Sequence, residues 1–158
     1  MRTRLANSST LQAPGSSRDV LSPSQRSRCM SRNKGRDTGP EISLRRSCWA
    51  IGLRYRLHTK LPGRPDIVFP GAKVVVFVDG CFWHGCPEHY VAPKTRQEFW
   101  RAKRESNRQR DRKVNDALDS AGWHVLRIWE HDLRTKDQRT RVAGEIRRLV
   151  LARRVPCF

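Results

Sequence analysis

The stretch KVVVFVDGCFWHGCPEHY, residues 73–90, decides the fold class. Its first part, KVVVFVD, is a continuous apolar run, which is typical of a central strand buried on both faces of a sheet. Its second part places two cysteines, two histidines and an adjacent pair of aromatic side chains directly after that strand. We therefore expect a buried strand whose carboxyl end leads into a loop that carries chemistry.

Upstream of this strand, the sequence predicts one helix and two further strands. Thr38 with Glu41 three residues later predicts a capping box, and a helix should follow to about Ile51. The alternating apolar residues of segment 53–57 predict a strand, and LPGRPDIVF, residues 61–69, leads into another. The helix therefore precedes three consecutive strands, of which KVVVFVD is the last.

Downstream, the pattern changes to helix, strand and helix. A second capping box, Thr95 to Glu98, predicts the start of a long basic helix that ends near Gly122. WHVLRIW, residues 123–129, predicts a fourth strand. A last amphipathic helix is indicated by the spacing of Val142, Ile146, Leu149 and Val150. The fold class expected from this order is α/β, with a small mixed sheet flanked by helices.

Length and charge restrict the function. The 158 residues suit one domain of ordinary size, and 33 Lys and Arg against 15 Asp and Glu leave a net charge of +18. That charge favours a polyanionic partner, with DNA or RNA first. Because no apolar run approaches the roughly 20 residues of a membrane span and no hydrophobic signal segment follows the basic start, we expect a soluble, intracellular protein. Residues 1–24, rich in Ser, Arg and Pro, are predicted to be a disordered tail before a folded part at 25–158.

The cysteines and histidines after the central strand have the spacing of a metal site. Cys81, Cys86 and His89 lie within nine residues, and thiolate with imidazole is the ligand set that tetrahedral Zn²⁺ prefers. His131, just after the fourth strand, supplies a fourth ligand if that strand ends at the same edge of the sheet. The alternative is that the two cysteines are small buried core residues.

Four other polar residues predict catalytic chemistry. His84 lies inside the proposed metal loop, where a fixed imidazole can act as a general base, although another ligand or a surface residue is the commoner role. Asp66 and Asp79 stand at neighbouring strand ends, which would suit Mg²⁺, but Pro-Asp is also a common turn dipeptide. Asp111 should face inward from the long helix, where a catalytic histidine is a plausible partner.

Several segments together resemble the very short patch repair (Vsr) DNA mismatch endonucleases. They are LPGRPDIVF, FVDGCFWHGCPEHY, TRQEFW, RDRKV and GWHVLRIWEHDL, in order and spacing, between about Ser24 and Leu133. The resemblance implies a restriction-endonuclease-like fold with a structural zinc. It also implies Mg²⁺-dependent nicking of one strand of double-stranded DNA, 5′ to the thymine of a T:G mismatch. Such an enzyme would act as a monomer on DNA in the bacterial cytoplasm, with downstream repair factors as further partners.

The resemblance also implies roles for individual residues. The acid after GRP binds Mg²⁺ in the family, which assigns that role to Asp66, together with the backbone carbonyl of Val78. The histidine of CFWH acts as the general base, which is His84 here. The acid of RDR, here Asp111, supports that histidine.

A mismatch wedge is the last implied feature. In the family the aromatic pair after the first zinc cysteine intercalates beside the mismatch, which corresponds to Phe82 and Trp83. A methionine from an N-terminal arm enters from the other groove, which corresponds to Met30 in an arm at 25–37. The alternative for the aromatic pair is ordinary core packing. Glu41 is explained equally well as an acid near the active site and as a helix cap.

The sequence departs from the general nuclease pattern in the central strand. The strand VVVFVDGC lacks the acid-x-Lys that general nucleases of this fold carry, so base chemistry is assigned to His84. Asp79 could be a metal ligand or a partner of one.

Three functions are open. The favoured function is a Vsr-type mismatch nickase. The others are a related nuclease with a different target and a zinc-containing DNA-binding module without catalysis.

Overall fold

The computed structural model describes residues 35–154 continuously, together with residues 22, 24, 25, 28 and 31. Most of the predicted tail, and Met30 of the predicted arm, therefore lie outside the described residues. The described helices are α1 (Gly39–Ala50), α2 (Cys81–His84), α3 (Gln97–Ser120) and α4 (Lys136–Arg153), and the strands are β1 (Ile67–Phe69), β2 (Val74–Asp79) and β3 (His124–Trp129). None of these helices is long and apolar enough to cross a bilayer.

The sheet is small and mixed, as the sequence predicts. Its order is β1-β2-β3. Strands β1 and β2 are antiparallel, and strands β2 and β3 are parallel. The apolar run of KVVVFVD forms the central strand, and five of the six residues of β2 are buried. The parallel pairing matches Val74 with His124 and Asp79 with Trp129, so β2 and β3 end at the same edge.

Helices cover both faces of this sheet, which confirms the α/β architecture. Because side chains alternate along a strand, Val74 and Val76 pack in a core with α1 and α4. Val75 and Phe77 point the other way and pack against Leu118 of α3. The next residue on the α3 side of β2 is Asp79, so the alternation that builds the core also delivers a carboxylate to the edge of the sheet.

The predicted strand at 53–57 is wrong. Only Arg56 pairs, in an isolated antiparallel bridge with Val68, through hydrogen bonds of 2.8 and 3.0 Å. The ladder stops there because β1 has three residues and because the chain turns at His58, whose φ is +53°. Leu53 is nevertheless buried in the core, so the alternation of apolar residues at 53–57 reflects side-chain burial in a segment that is not a strand.

Both predicted capping boxes differ from the structure. Helix α3 begins at Gln97 after Arg96 in a left-handed conformation, and no side chain caps it. Thr38 does precede α1, but its hydroxyl donates to the Glu41 carboxylate instead of accepting from a helix amide. Among the described helices a complete box stands at α4, where Thr135 and Gln138 exchange hydrogen bonds.

Candidate active site and metal centre

Two cysteines and two histidines meet beside the ends of β2 and β3. The ligand atoms of Cys81, Cys86, His89 and His131 all lie within 4.8 Å of one another. His131 reaches the group from the turn after β3, because the parallel register places the ends of β2 and β3 side by side. The structure therefore brings together all four residues that the sequence indicated as a ligand set.

The spacing of these atoms fits a tetrahedral metal. Zn–S bonds of about 2.3 Å and Zn–N bonds of about 2.0 Å place sulfur and nitrogen roughly 3.5 Å apart. The His131 Nδ1 atom is 3.3 Å from the Cys81 sulfur and 3.6 Å from the Cys86 sulfur, and His89 Nδ1 is 3.8 Å from the latter. Burial raises the pKa of the Cys81 thiol to about 11, a cost that a bound cation would offset by stabilising the thiolate.

Short contacts hold helix α2 and its loop in place. The Cys81 amide donates to a Glu130 carboxylate oxygen at 2.8 Å, and Asn107 of α3 donates to the Trp83 carbonyl at 2.8 Å. Gly85 ends the helix with φ of +66°, and a Cβ there would lie 2.6 Å from Arg104. The turn therefore requires glycine, and both the end of β3 and α3 support it.

His84 and Asp111 form a hydrogen-bonded pair at the α3 side of the sheet. The His84 Nδ1 atom lies 2.6 Å from an Asp111 carboxylate oxygen, and the imidazole is 27% exposed. Because an ionised carboxylate only accepts, Nδ1 carries the proton and Nε2 of the neutral ring is left as the basic nitrogen. Asp111 faces inward from α3 as predicted, and His84 is the side chain it meets.

Arg127 binds the Asp111 carboxylate of this pair and the neighbouring Asp79 carboxylate, and no sequence pattern indicated it. Its Nη1 donates to both oxygens of Asp79 at 2.8 and 2.9 Å, and its Nη2 donates to Asp111 at 3.2 Å. Its Nε donates to Asn115 of α3 at 3.1 Å. Since β3 pairs Arg127 with Phe77, the guanidinium also lies 4.7 Å from the centre of that ring. Both oxygens of Asp79 therefore already have a cationic partner.

Asp66 stands at the start of β1 with one oxygen bound by the neighbouring strand. The Val78 amide donates to its Oδ2 at 2.7 Å. Burial raises the pKa of Asp66 to about 6, and the nearby Glu41 and Asp79 carboxylates act in the same direction. The site therefore concentrates negative charge within a strongly basic protein.

Glu41 is buried and connected to Asp66 through an arginine. Its oxygens accept from the Thr38 hydroxyl and the Asp37 amide, both at 2.8 Å, and from Arg45 at 3.3 Å. Arg45 in turn donates to the Asp66 carbonyl at 3.2 Å. Glu41 thus orders the start of α1 and also lies near the candidate site.

The aromatic pair of α2 belongs to a separate cluster. Phe82 and Trp83 meet edge to face at 5.2 Å, and both contact Trp100 of α3, at 5.2 and 6.2 Å. The two side chains are half-buried and belong to neither apolar core of the described chain. Trp100 is the last residue of TRQEFW, a segment that carries the family resemblance, but no sequence pattern indicates its contact with the aromatic pair.

A basic cleft lies next to Asp66, which is part of its lining. It has a volume of about 480 Å³, and its lining includes Arg36, His58, Lys60 and Arg64. The loop from residue 58 to 64 is held in an uncommon shape, with positive φ at its first and last residues. Gly63 packs on α3 so closely that a Cβ would lie 2.4 Å from Val114.

Comparison with known proteins identifies the family. The model of the family described as DNA mismatch endonuclease Vsr matches residues 18–89. The chain is 47% identical over 113 residues to the type II nicking enzyme V.NaeI of Lentzea aerocolonigenes, covering 68% of each. It is 46% identical to V.NmeDIP of Neisseria meningitidis serogroup C, over 73% of this chain and 80% of that enzyme.

A further relative carries the family's own name. The DNA mismatch endonuclease Vsr of Escherichia coli K12 is 39% identical over 127 residues, which are 77% of this chain and 80% of that protein. This match runs across most of both chains, as do those to the two nicking enzymes. The chain therefore belongs to the Vsr family of DNA mismatch endonucleases.

Proposed function

We propose that this protein is a Mg²⁺-dependent endonuclease that nicks one strand of duplex DNA 5′ to the thymine of a T:G mismatch. The observation that carries the proposal is the His84–Asp111 pair, which leaves a basic imidazole nitrogen at the exposed edge of a site that also contains Asp66. Family membership supports the reaction class, and the net charge of +18 supports a DNA substrate.

In this proposal His84 removes the proton from the attacking water. Its Nδ1 proton is held by Asp111, so Nε2 is the atom that accepts the new proton. Asp111 then stabilises the imidazolium as its counter-charge, as a carboxylate does for the histidine of a hydrolytic triad. The deprotonated water attacks the phosphorus, the bond to one bridging oxygen breaks, and that oxygen departs on its strand end and takes up a proton from water.

Asp66 and the Val78 carbonyl would hold the Mg²⁺. Of the three clustered carboxylates, Asp66 has one oxygen without a hydrogen-bond donor among the described residues, whereas those of Glu41 and Asp79 are all occupied. Carboxylate and carbonyl oxygens are the ligands that Mg²⁺ prefers, so the donor set fits. The bound ion would neutralise charge that develops on the phosphate.

Phe82 and Trp83 supply the mismatch recognition in this proposal. Unstacking a base step costs a few kcal/mol and costs least at a mispair, so an apolar wedge enters there in preference. The Zn²⁺ held by Cys81, Cys86, His89 and His131 would fix the loop before DNA arrives, which lowers the ordering entropy lost on binding. Met30 is proposed as the second wedge, from the arm at 25–37 of a catalytic domain spanning 25–158.

The names of the relatives support a second candidate for the DNA target. The two relatives with 46–47% identity are named as type II nicking enzymes, so a nickase with a different mismatch or sequence target is the other candidate. The test is cleavage of duplexes that carry each single-base mismatch in varied flanking sequence, with and without Mg²⁺. We expect Mg²⁺-dependent nicking beside the thymine of T:G alone. Equal nicking of matched duplex, or of other mismatches, would support the second candidate, and no nicking of any duplex would support a binding module.

A further inference from the structure

We propose that Arg127 is a positioning residue for the proposed general base, because it determines which of two carboxylates accepts the hydrogen bond from the His84 Nδ1–H. The inference rests on the proposed function of His84. Two acceptors compete for that one N–H: Asp111 at 2.6 Å and Asp79 at 3.8 Å. The ring can satisfy only one of them, and its choice sets the direction of Nε2.

Arg127 removes Asp79 from this competition. Its Nη1 binds both Asp79 oxygens, and the Asp79 side chain is 9% exposed, so water offers the carboxylate little alternative solvation. A buried carboxylate with a charged donor on each oxygen is a weaker acceptor for a further N–H than one with a free lone pair.

The same guanidinium orients Asp111. Nη2 binds its Oδ1 at 3.2 Å, which leaves Oδ2 facing the imidazole. Nε is bound to Asn115, one turn along α3 from Asp111, so three donors of one planar group are fixed at once. Arg127 therefore connects β2, β3 and α3 at the point where the base is held.

Without this guanidinium the geometry would change. An unpaired Asp79 would be a buried charge within reach of the imidazole, and the ring would rotate to donate to it. Nε2 would then leave the direction that the Asp111 hydrogen bond gives it, and with it the position proposed for accepting the proton of the attacking water. A base displaced by about 1 Å typically loses on the order of 100-fold in rate.

The test is a double-variant cycle with Arg127→Met and Asp79→Asn. We expect Arg127→Met to lower the single-turnover nicking rate on T:G duplex by roughly 10- to 100-fold while the Kd for that duplex changes little. Adding Asp79→Asn should recover much of the lost rate, because a carboxamide competes poorly with the Asp111 carboxylate for the N–H. Rates are measured well below each variant's Tm, so that all variants are folded.

Two further measurements separate positioning from simple structural support. The proton resonance of His84 Nδ1–H, assigned through its absence in His84→Asn, should move in Arg127→Met and return toward its original position in the double variant. Arg148→Met removes the same charge from α4 on the opposite face of the sheet, and its rate should match that of the unmodified protein.

Additive losses in the double variant, or an unmoved resonance in Arg127→Met, would overturn the role of Arg127. An unmodified protein that does not nick T:G would instead contradict the proposed function. The resonance would still report the hydrogen bond in that case, so the two failures are distinguishable.

Discussion

At the scale of single residues, the carboxylates of Asp66 and Asp79 differ in the groups that bind them. Asp66 is partly buried beside other negative charges, which raises its pKa to about 6, and one of its carboxylate oxygens has no hydrogen-bond donor among the described residues. Asp79 lies at the end of the neighbouring strand, but Arg127 binds both its oxygens. The same residue type therefore has two different environments, which are set by its partners and not by its position in the chain.

The first prediction concerns the proposed metal ligand and base. Asp66→Ala and His84→Ala should each abolish nicking of T:G duplex, because one removes the Mg²⁺ ligand and the other the proton acceptor. Duplex affinity should change by only a small factor, since phosphate contacts supply most of it. Nicking and equilibrium binding are measured on the same preparations. Undiminished turnover in either variant would remove the proposed mechanism.

At the scale of elements, helix α2 is too short to be stable alone. It has four residues, and isolated helices are marginal even at about 12–15 residues. Its position depends on the Cys81 contact with Glu130, the Trp83 contact with Asn107 and the proposed metal ligands. Both the proposed wedge and the proposed general base lie on this one turn, so the same contacts would position the residues for recognition and for chemistry.

The second prediction tests the metal. The protein should contain one tightly bound Zn²⁺, and its removal by a chelator should expose Cys81 and Cys86 to a thiol reagent. Cys48 should stay unreactive, because it is fully buried in the core and burial raises its pKa to about 12. Thiols are counted before and after chelation, alongside elemental analysis, in a Cys29→Ser, Cys157→Ser background that removes the other two of the five cysteines.

Two outcomes would contradict this picture. Folded, active protein without zinc would exclude a structural metal. Reaction of Cys48 together with the other two thiols would show that the metal stabilises the whole domain and not the loop alone.

Cys86→Ala should behave like the chelated protein in the same thiol count, since the loss of one ligand opens a closed site.

The third prediction tests the wedge. Trp83→Ala should weaken binding to T:G duplex by about 1 to 3 kcal/mol, the range for stacking of a base on an aromatic side chain. Binding to matched duplex should change little, because a matched step resists opening. Affinities for both duplexes and the Tm are compared with those of Trp49→Ala, which removes an exposed tryptophan from α1. Equal losses on both duplexes, with a lower Tm, would mean that Trp83 only packs.

At the scale of the whole molecule, charge is arranged around the site. The protein carries +18 overall, yet Asp66, Asp79, Asp111 and Glu41 lie close to one edge of the sheet. The basic cleft borders this acidic group. A basic surface would attract the DNA backbone, and the local negative charge would suit the proposed divalent cation.

The fourth prediction follows from this arrangement. Lys60→Ala with Arg64→Ala should weaken matched and T:G duplex equally and reduce the slope of log K against log salt by roughly 1 to 2, because each phosphate contact contributes about 0.9. Arg147→Ala with Arg148→Ala on α4 removes the same charge from exposed positions of another surface. If both double variants gave the same salt slope, the loop at 58–64 would not contact DNA phosphates.

Much of this arrangement could be predicted because the relevant signals are local. The apolar run of β2 and the inward spacing of Asp111 reflect strand and helix periodicity. Cys81, Cys86 and His89 lie within nine residues, so their spacing indicated a metal site before any fold was known. His131 needed one further step, which was the expectation that two strands end at the same edge.

Arg127 and Trp100 were decided by tertiary structure alone. Arg127 lies 48 residues from Asp79 and 16 from Asp111, and one arginine in a strand is indistinguishable among 33 basic residues. The parallel register of β2 and β3 places it under Phe77, and only then can its guanidinium reach both carboxylates. Periodicity reports which side of an element is buried, whereas the partner met there depends on how separate elements pack.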